Sequence, residues 1–98
     1  RNVPGKLPIY MMSGRAIIGT NTEGINTVLT HNETGWLIEP TIDSLVGALN
    51  CLVESPDLRN RLGEAALAEA RRRYAPEKIQ RAMTDAYFRL LNSLDSYE

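Results

Sequence analysis

Residues 14–41 read GRAIIGTNTEGINTVLTHNETGWLIEPT, and the predicted fold is built around this segment. It contains two short apolar runs, at residues 16–20 and 35–39, each bounded by glycine and polar residues. Runs of this kind are typical of strands buried on both faces of a parallel sheet. Residues 24–30, between the runs, have the apolar spacing of a helix. The stretch therefore predicts a strand, a helix and a second strand, joined by a right-handed crossover.

Helices are predicted on both sides of this unit. Residues 5–13 have helical spacing and end at Gly14, a favourable residue after a helix because glycine accepts the left-handed conformation at little cost. Three more helices follow the second strand and end near residues 54, 74 and 94. The residues that suit their N-termini are Thr41, Ser55 with Pro56, and Pro76. The predicted element order is α-β-α-β-α-α-α, an α/β fold that corresponds to part of a Rossmann-like domain.

The apolar pattern also predicts which helix faces are buried. For the helix that ends near residue 54, the predicted buried stripe consists of Leu45, Leu49, Leu52 and Val53. Cys51 lies on an apolar part of the same helix and is predicted to be a core residue. In the last helix, the residues predicted to face inward are Ile79, Ala82, Met83, Ala86, Tyr87, Leu90 and Leu91.

Composition and charge argue against several classes of function. The 98 residues include 11 basic and 12 acidic side chains, and this balance predicts no nucleic-acid partner. No apolar stretch approaches the roughly 18 residues of a membrane span. The single cysteine, Cys51, permits no disulfide within the chain. We therefore expect a cytoplasmic protein without a transmembrane segment.

Two local features have structural explanations that compete with functional ones. Arg71, Arg72 and Arg73 end a predicted helix, where cations complement the helix dipole, and we favour this role over an anion or RNA patch. His31 is the only histidine, with no nucleophile or carboxylate at a suitable spacing, so it is predicted to lie in a solvated loop. No group of histidine, cysteine and aspartate has metal-ligand spacing. We therefore predict no metal and no other cofactor.

Two strands are few for a parallel sheet of this fold class, which normally has about five or six strands. An exposed sheet edge with apolar faces promotes association with another chain. The sheet is therefore predicted to be completed by another chain, in the simplest case by a second copy in a homodimer.

Several short motifs occur in an order that is similar to the order found in a known protein family. They are KLPIYMMSGRAIIGT at 6–20, NTEGI at 21–25, NETGWLIEP at 32–40, PDL at 56–58, LG at 62–63 and PE at 76–77. In this order they resemble the C-terminal segment of the retaining, two-Rossmann-domain (GT-B type) glycosyltransferases often called group 1 or family 4. The turn and strand at 32–40 are the strongest single signature. The resemblance implies a nucleotide-sugar-dependent transferase, with residues 1–98 as the C-terminal fragment of its donor-binding domain.

The resemblance also shows where this chain departs from the family. Two glutamates eight positions apart contact the transferred sugar and the ribose in that family, and their places fall on Arg1 and Ile9. Neither side chain accepts hydrogen bonds from hydroxyls as a carboxylate does. Acceptor-binding and catalytic groups of complete members come from an N-terminal domain, so we assign no catalytic residue here. The resemblance thus implies a chain that is inactive alone.

Candidate donor-binding residues lie at two predicted helix starts. Lys6 and Gly5 open the first helix, while Gly24 opens the next helix beside a strand end, and all three suit a donor diphosphate. Glu23 and Thr27 are candidates for the sugar or ribose side. The structural alternatives are a solvated lysine for Lys6, a turn residue for Gly24 and a dipole-stabilising carboxylate for Glu23.

Two hypotheses for the function follow. In the first, the chain contributes the donor-diphosphate side of the site in a nucleotide-sugar-dependent glycosyltransferase. In the second, it is a stand-alone homodimeric α/β interaction module that binds no nucleotide sugar. The residues at positions 1 and 9 favour the second hypothesis.

Overall fold

The computed structural model describes residues 6–95 and confirms the predicted order of elements. The elements are α1 (Leu7–Met12), β1 (Ile18–Thr20), α2 (Glu23–Asn26), β2 (Trp36–Ile38), α3 (Ile42–Glu54), α4 (Pro56–Arg73) and α5 (Pro76–Asp95). Helix α2 is shorter than the helix predicted at 24–30. The chain leaves the helix at Thr27 and continues as a turn, in which the N–H groups of Val28 and Leu29 both donate to the carbonyl of Ile25. The fold is α/β and mostly helical.

Strands β1 and β2 are parallel and form a two-stranded sheet within residues 6–95. Their side chains are half-buried rather than fully buried as predicted. The reason is the small size of the sheet, because each strand has a neighbouring strand on one edge only. The register pairs Ile18 with Trp36, Gly19 with Leu37, and Thr20 with Ile38.

The core lies between α1, α4 and the sheet. Helix α1 packs closely on α4, whose small residues at the contact permit a short distance between the helices. The buried side chains of this core are Leu7, Met11, Leu29, Ala66 and Ala70.

Two glycines allow α4 to approach the end of α1. Gly14 follows α1 with a φ of +72°, the left-handed conformation that the sequence predicted. Gly63 faces it from α4, and a Cβ atom at position 63 would lie 2.8 Å from the carbonyl carbon of Gly14. The absence of a side chain at position 63 therefore sets the distance between α4 and the turn after α1.

The helix ends are capped largely as the sequence predicts. The side-chain oxygens of Thr41 and Ser55 each accept a hydrogen bond from the backbone N–H three residues later, at 3.1 Å. Arg59 of α4 caps the C-terminal end of α3. Its Nη1 donates hydrogen bonds to the backbone carbonyls of Leu52 and Val53, at 2.5 and 2.8 Å. These local bonds explain why the predicted limits of α3 and the predicted start of α4 agree with the structure.

The predicted buried face of α3 is largely wrong. Its buried residues are Ala48 and Leu52, and the helix packs on β2 and α4. Cys51 is exposed, so its predicted place in the core is wrong as well. The opposite side of α3 meets no other element among the described residues closely enough to be buried. The residues predicted as buried but found exposed are Leu45, Leu49 and Val53.

The predicted inward face of α5 is only partly confirmed. Ile79, Ala82 and Ala86 are half-buried. The residues that are exposed instead are Met83, Tyr87, Leu90 and Leu91. Helix α5 has 20 residues and packs mainly on α1, which has only six. At about 1.5 Å per residue, α1 is too short to cover more than the first part of α5.

Candidate functional site at the carboxyl edge of the sheet

Both strands end at the same edge of the sheet because they are parallel. Asn21 follows β1, and its N–H donates to the carbonyl of Ile38 at 2.8 Å. The chain then turns at Thr22, the N-cap of α2, and after β2 it turns at Thr41, the N-cap of α3. Two helix N-termini therefore follow this edge directly. Ligands of open α/β sheets bind at such carboxyl edges.

Helix α2 and its C-cap contain three of the predicted site residues, Glu23, Gly24 and Thr27. Glu23 is exposed in its first turn, at the positive end of the helix dipole. Gly24 is partly buried, and its carbonyl accepts a hydrogen bond from Thr27 Oγ1 at 3.1 Å. Asn26 Nδ2 donates to Asn21 Oδ1 at 2.9 Å and ties the helix to the end of β1. Glu23 and Gly24 thus lie at the sheet edge, whereas Thr27 lies at the opposite end of α2.

An arginine of α4 holds that opposite end, a contact that the sequence analysis missed. Arg73 Nη2 donates to the carbonyl of Thr27 at 3.2 Å, although 46 positions separate the two residues. The arginine run does end α4, as predicted. One of its members also positions α2. The run itself was visible in the sequence, but a backbone carbonyl so far away gives no sequence signal.

Arg73 is itself held by an ion-pair cluster. Glu69 pairs with Arg72 at 2.5 Å and with Arg73 at 3.3 Å, and its side chain is only 18% exposed. The hydrogen bond from Arg72, assisted by the one from Arg73, holds the pKa of Glu69 below its usual value of 4.5. A lowered carboxyl pKa contributes stability above that usual value, and the contribution is lost as the pH falls through the lowered pKa.

Replacement of Glu69 is therefore expected to change the pH dependence of stability. In Glu69→Gln, the melting temperature Tm near neutral pH should fall by roughly 1–5 °C, and the further decrease of Tm below a pH of about 4.5 should be smaller than in the parent chain. Melting followed by circular dichroism between about pH 7 and pH 3 measures both effects. The matched control is Glu64→Gln, an exposed carboxylate of the same helix without an ion pair among the described residues. Equal pH profiles for the two variants would contradict this role of Glu69.

The turn before β2 is fixed by His31 and Arg61. His31 Nδ1 accepts a hydrogen bond from the N–H of Leu37 at 3.0 Å, and its ring meets the edge of Trp36 with the centroids 4.6 Å apart. Arg61 donates to the carbonyl and the side-chain oxygen of Asn32, both at 2.9 Å. Asn32 has a φ of +62°, a conformation that asparagine tolerates. His31 is exposed, as predicted. Its loop is nevertheless held in place by the hydrogen bond between His31 and Leu37 and by the two hydrogen bonds from Arg61.

A comparison with known protein families shows which family the chain belongs to. The sequence pattern of the family described as Glycosyl transferases group 1 matches residues 10–69, more than half of the 98 residues. The chain belongs to this family. Comparisons with curated proteins and with solved structures gave no match. The match to the group 1 glycosyl transferases runs from α1 into α4 and includes the whole carboxyl edge of the sheet.

The other predicted donor-binding residues lie outside the part matched to group 1 glycosyl transferases. Lys6 is exposed at the N-cap of α1, where its side chain does not cap the helix, and α1 packs on α4 and α5. Helix α2 instead packs on β1, so Lys6 and Gly24 are held by different elements. Ile9 is half-buried in α1. Gly5 and Arg1 lie outside the described residues.

Residues 6–95 of this group 1 family member contain neither a candidate metal site nor a candidate membrane-spanning helix. This part of the chain contains no cluster of three or more histidine, cysteine, aspartate or glutamate side chains suited to a metal ion. No helix in the same range combines the length and the apolar character that a membrane crossing requires.

Proposed function

We propose that this chain contributes the donor-diphosphate side of the site in a retaining, nucleotide-sugar-dependent glycosyltransferase, with residues 1–98 as the C-terminal part of its donor-binding domain. Membership of the group 1 glycosyl transferases supports the transferase class. One structural observation supports the donor side. The N-terminus of α2, with Glu23 and Gly24, directly follows β1 at the carboxyl edge of a parallel sheet.

The diphosphate needs positive charge and N–H donors. Sugar transfer from a nucleotide diphosphate leaves a diphosphate whose charge must be neutralised while positive charge develops at the anomeric carbon. Basic side chains and helix N-termini provide such neutralisation. In the proposal Lys6 provides the ammonium group, and the glycines at positions 5 and 24 allow the backbone to approach the phosphates closely.

Glu23 is the candidate on the sugar or ribose side. Its carboxylate is exposed and makes no ion pair with any described residue, so it can accept hydrogen bonds from hydroxyls. Thr27 is the weaker candidate, since its hydroxyl donates to Gly24 and its carbonyl is held by Arg73. Because Ile9 offers no acceptor, hydroxyl recognition in this proposal depends mainly on Glu23.

A nucleotide that binds the folded chain is expected to raise its Tm. With UDP, GDP or ADP at about tenfold above the dissociation constant, mass action stabilises the fold by about 1.4 kcal/mol and raises Tm by roughly 5–10 °C. Lys6→Ala should abolish most of that shift, because the variant removes the proposed phosphate contact. The matched control is Lys78→Ala, since Lys78 is an exposed lysine on α5 whose Nζ lies over the ring of Tyr74.

The result distinguishes the proposal from its alternative. A Tm shift that survives in Lys6→Ala and is lost in Glu23→Gln would move the donor contact from α1 to α2. An unchanged Tm with all three nucleotides at millimolar concentration would contradict donor binding by this chain.

The second candidate is a stand-alone homodimeric α/β interaction module that binds no nucleotide sugar. The exposed apolar residues of α3 and α5 favour an interaction role, and Ile9 in place of a glutamate disfavours donor binding. A homodimer that completes the two-stranded sheet and a cytoplasmic location remain predictions within both candidates.

A further inference from the structure

The turn at residues 31–35 lies against the outer edge of β2, the edge that faces away from β1. The N–H of Trp36 donates to the carbonyl of Ile17 at 2.9 Å, and the carbonyl of Ile38 accepts a hydrogen bond at 2.8 Å from the residue after β1. Along a parallel strand, the main-chain groups of alternate residues point to opposite edges. The N–H of Leu37 therefore points to the outer edge.

Two groups of the turn bond to this outer edge. His31 Nδ1 accepts a hydrogen bond from the N–H of Leu37 at 3.0 Å, and the N–H of Asn32 donates to the carbonyl of Gly35 at 2.7 Å. The ring of His31 also packs against Trp36, with the ring centroids 4.6 Å apart. The chain therefore covers this edge with one backbone group and one ionisable side chain, and every atom of the arrangement belongs to the described residues.

The hydrogen bond to His31 requires one protonation state of the ring. An imidazole nitrogen accepts a hydrogen bond only while it carries no proton, so the ring is neutral and its proton is on Nε2. In the protonated ring both nitrogens are donors, and Nδ1–H would face the N–H of Leu37 across 3.0 Å. Histidine is the side chain that changes charge between about pH 5 and pH 8. Acidification in this range therefore replaces an attractive contact with a repulsive one.

We propose that His31 is a pH-sensitive switch for the outer edge of β2. With the ring neutral, the turn is bonded to the strand through both His31 and Asn32. With the ring protonated, the N–H of Leu37 loses its partner and the His31 side of the turn opens, while the backbone bond of Asn32 remains. This inference does not depend on whether the chain binds a donor.

The charge nearest to the turn favours release of a protonated ring. Arg61 of α4 donates to the carbonyl and the side-chain oxygen of Asn32, the residue next to His31, and so holds a guanidinium group beside the turn. A protonated ring would add a like charge close to it. Among the described residues, no carboxylate forms an ion pair with His31 that would compensate.

The elements on either side of the turn offer no other charge to the ring. Strand β1 has no ionisable side chain, and the buried residues of α3, which packs on β2, are Ala48 and Leu52. The hydrogen bond from Leu37 is therefore the described contact that protonation removes. The carboxylates in the turn, after β2 and on the Arg61 side of α4 are Glu33, Glu39, Asp57 and Glu64.

Nuclear magnetic resonance of the imidazole tests the proposed state directly. His31 is the only histidine among the 98 residues, so its ring signals require no assignment. Long-range proton–nitrogen correlation at about pH 8 should show the tautomer with its proton on Nε2. The protection factor of the Leu37 amide against hydrogen exchange should then decrease about fivefold as the pH is lowered to about 5.5, the loss expected for one hydrogen bond. A neutral ring with its proton on Nδ1 would overturn the proposal.

Two variants separate the switch from a merely structural role. His31→Asn places an amide oxygen roughly where Nδ1 lies, and this oxygen accepts a hydrogen bond at every pH. Stability from the hydrogen bond of the parent chain is present above the histidine range and is lost as the pH falls through it. Between about pH 8 and pH 5.5, Tm of the parent chain should therefore fall by roughly 2–8 °C more than Tm of His31→Asn. His31→Ala should have the lower Leu37 protection at both pH values.

The outcomes that contradict the switch are equally specific. Equal changes of Tm and of Leu37 protection with pH in the parent chain and in His31→Asn would overturn it. A Leu37 protection factor in His31→Ala that still decreases on acidification would overturn it as well. Circular dichroism establishes that both variants fold, and the tautomer measurement on the parent chain decides the question if a variant does not.

Discussion

Gly63→Ala is expected to destabilise the fold by about 2–3 kcal/mol and to lower Tm by roughly 10–20 °C. The added Cβ atom would overlap the carbonyl oxygen of Gly14 and would lie 2.8 and 3.1 Å from the carbonyl carbons of Gly14 and Arg15. These atoms belong to the backbone and cannot rotate away as a side chain can. Either α4 or the turn after α1 must therefore move, and the core contact between the two helices is lost with it. Urea unfolding at constant protein concentration measures the change in free energy of unfolding.

The control for this variant is Gly47→Ala. Gly47 lies inside α3, and a Cβ atom at this position would meet nothing within 4 Å. Alanine has the higher helix propensity, so this change should stabilise the fold by about 0.5–1 kcal/mol. The two variants make the same chemical change with opposite expected signs. If Gly63→Ala also stabilised the fold, the close packing of α4 on Gly14 would be wrong.

Leu29→Ala is expected to cost about 2–5 kcal/mol of folding free energy, the second of the two largest effects. Leu29 is 1% exposed and belongs to the core. Its Cδ1 lies 3.5 Å from the position that a Cβ atom would take at Gly19 of β1, and 3.0 Å from the corresponding position at Gly35, the residue before β2. The variant leaves a cavity above the sheet that neither glycine can fill. The free energy of unfolding should fall, and α2 should lose its support on β1.

A matched leucine on the surface provides the comparison. Leu49 of α3 is 44% exposed, and Leu49→Ala should cost less than about 1 kcal/mol. Amide hydrogen exchange shows which parts of the fold lose stability. In Leu29→Ala, the exchange of backbone amides should accelerate in both β1 and β2. Similar losses of free energy for the two variants would show that the core does not centre on Leu29.

The candidate site was predictable only in part. The sequence indicated the loop after β1, and Glu23 does lie in the first turn of a helix at the carboxyl edge of the sheet. It did not indicate Arg73 or Arg61, whose partners are 46 and 29 positions away. Both arginines bind backbone carbonyls, which every residue has, so no residue type marks the partner in a single sequence.

The order of the elements and most of their limits follow from local signals in the sequence. The side chains of Thr41 and Ser55 cap their helices within three residues, and Gly14 takes its left-handed conformation at the end of α1. These signals are local, because each depends on bonds or torsion angles within one turn of chain.

Which apolar faces are buried depends instead on how the elements pack against one another. The periodicity of α3 and α5 identifies an apolar side of each helix, yet Leu49 and Tyr87 are exposed while Ala48 is buried. Burial requires a partner of sufficient length at the right distance, and α1 has six residues against the 20 of α5. The distance between elements depends on contacts between residues far apart in the chain, such as Gly14 with Gly63. Periodicity defines the side of a helix that can pack, whereas the size and position of its neighbours determine how much of that side is buried.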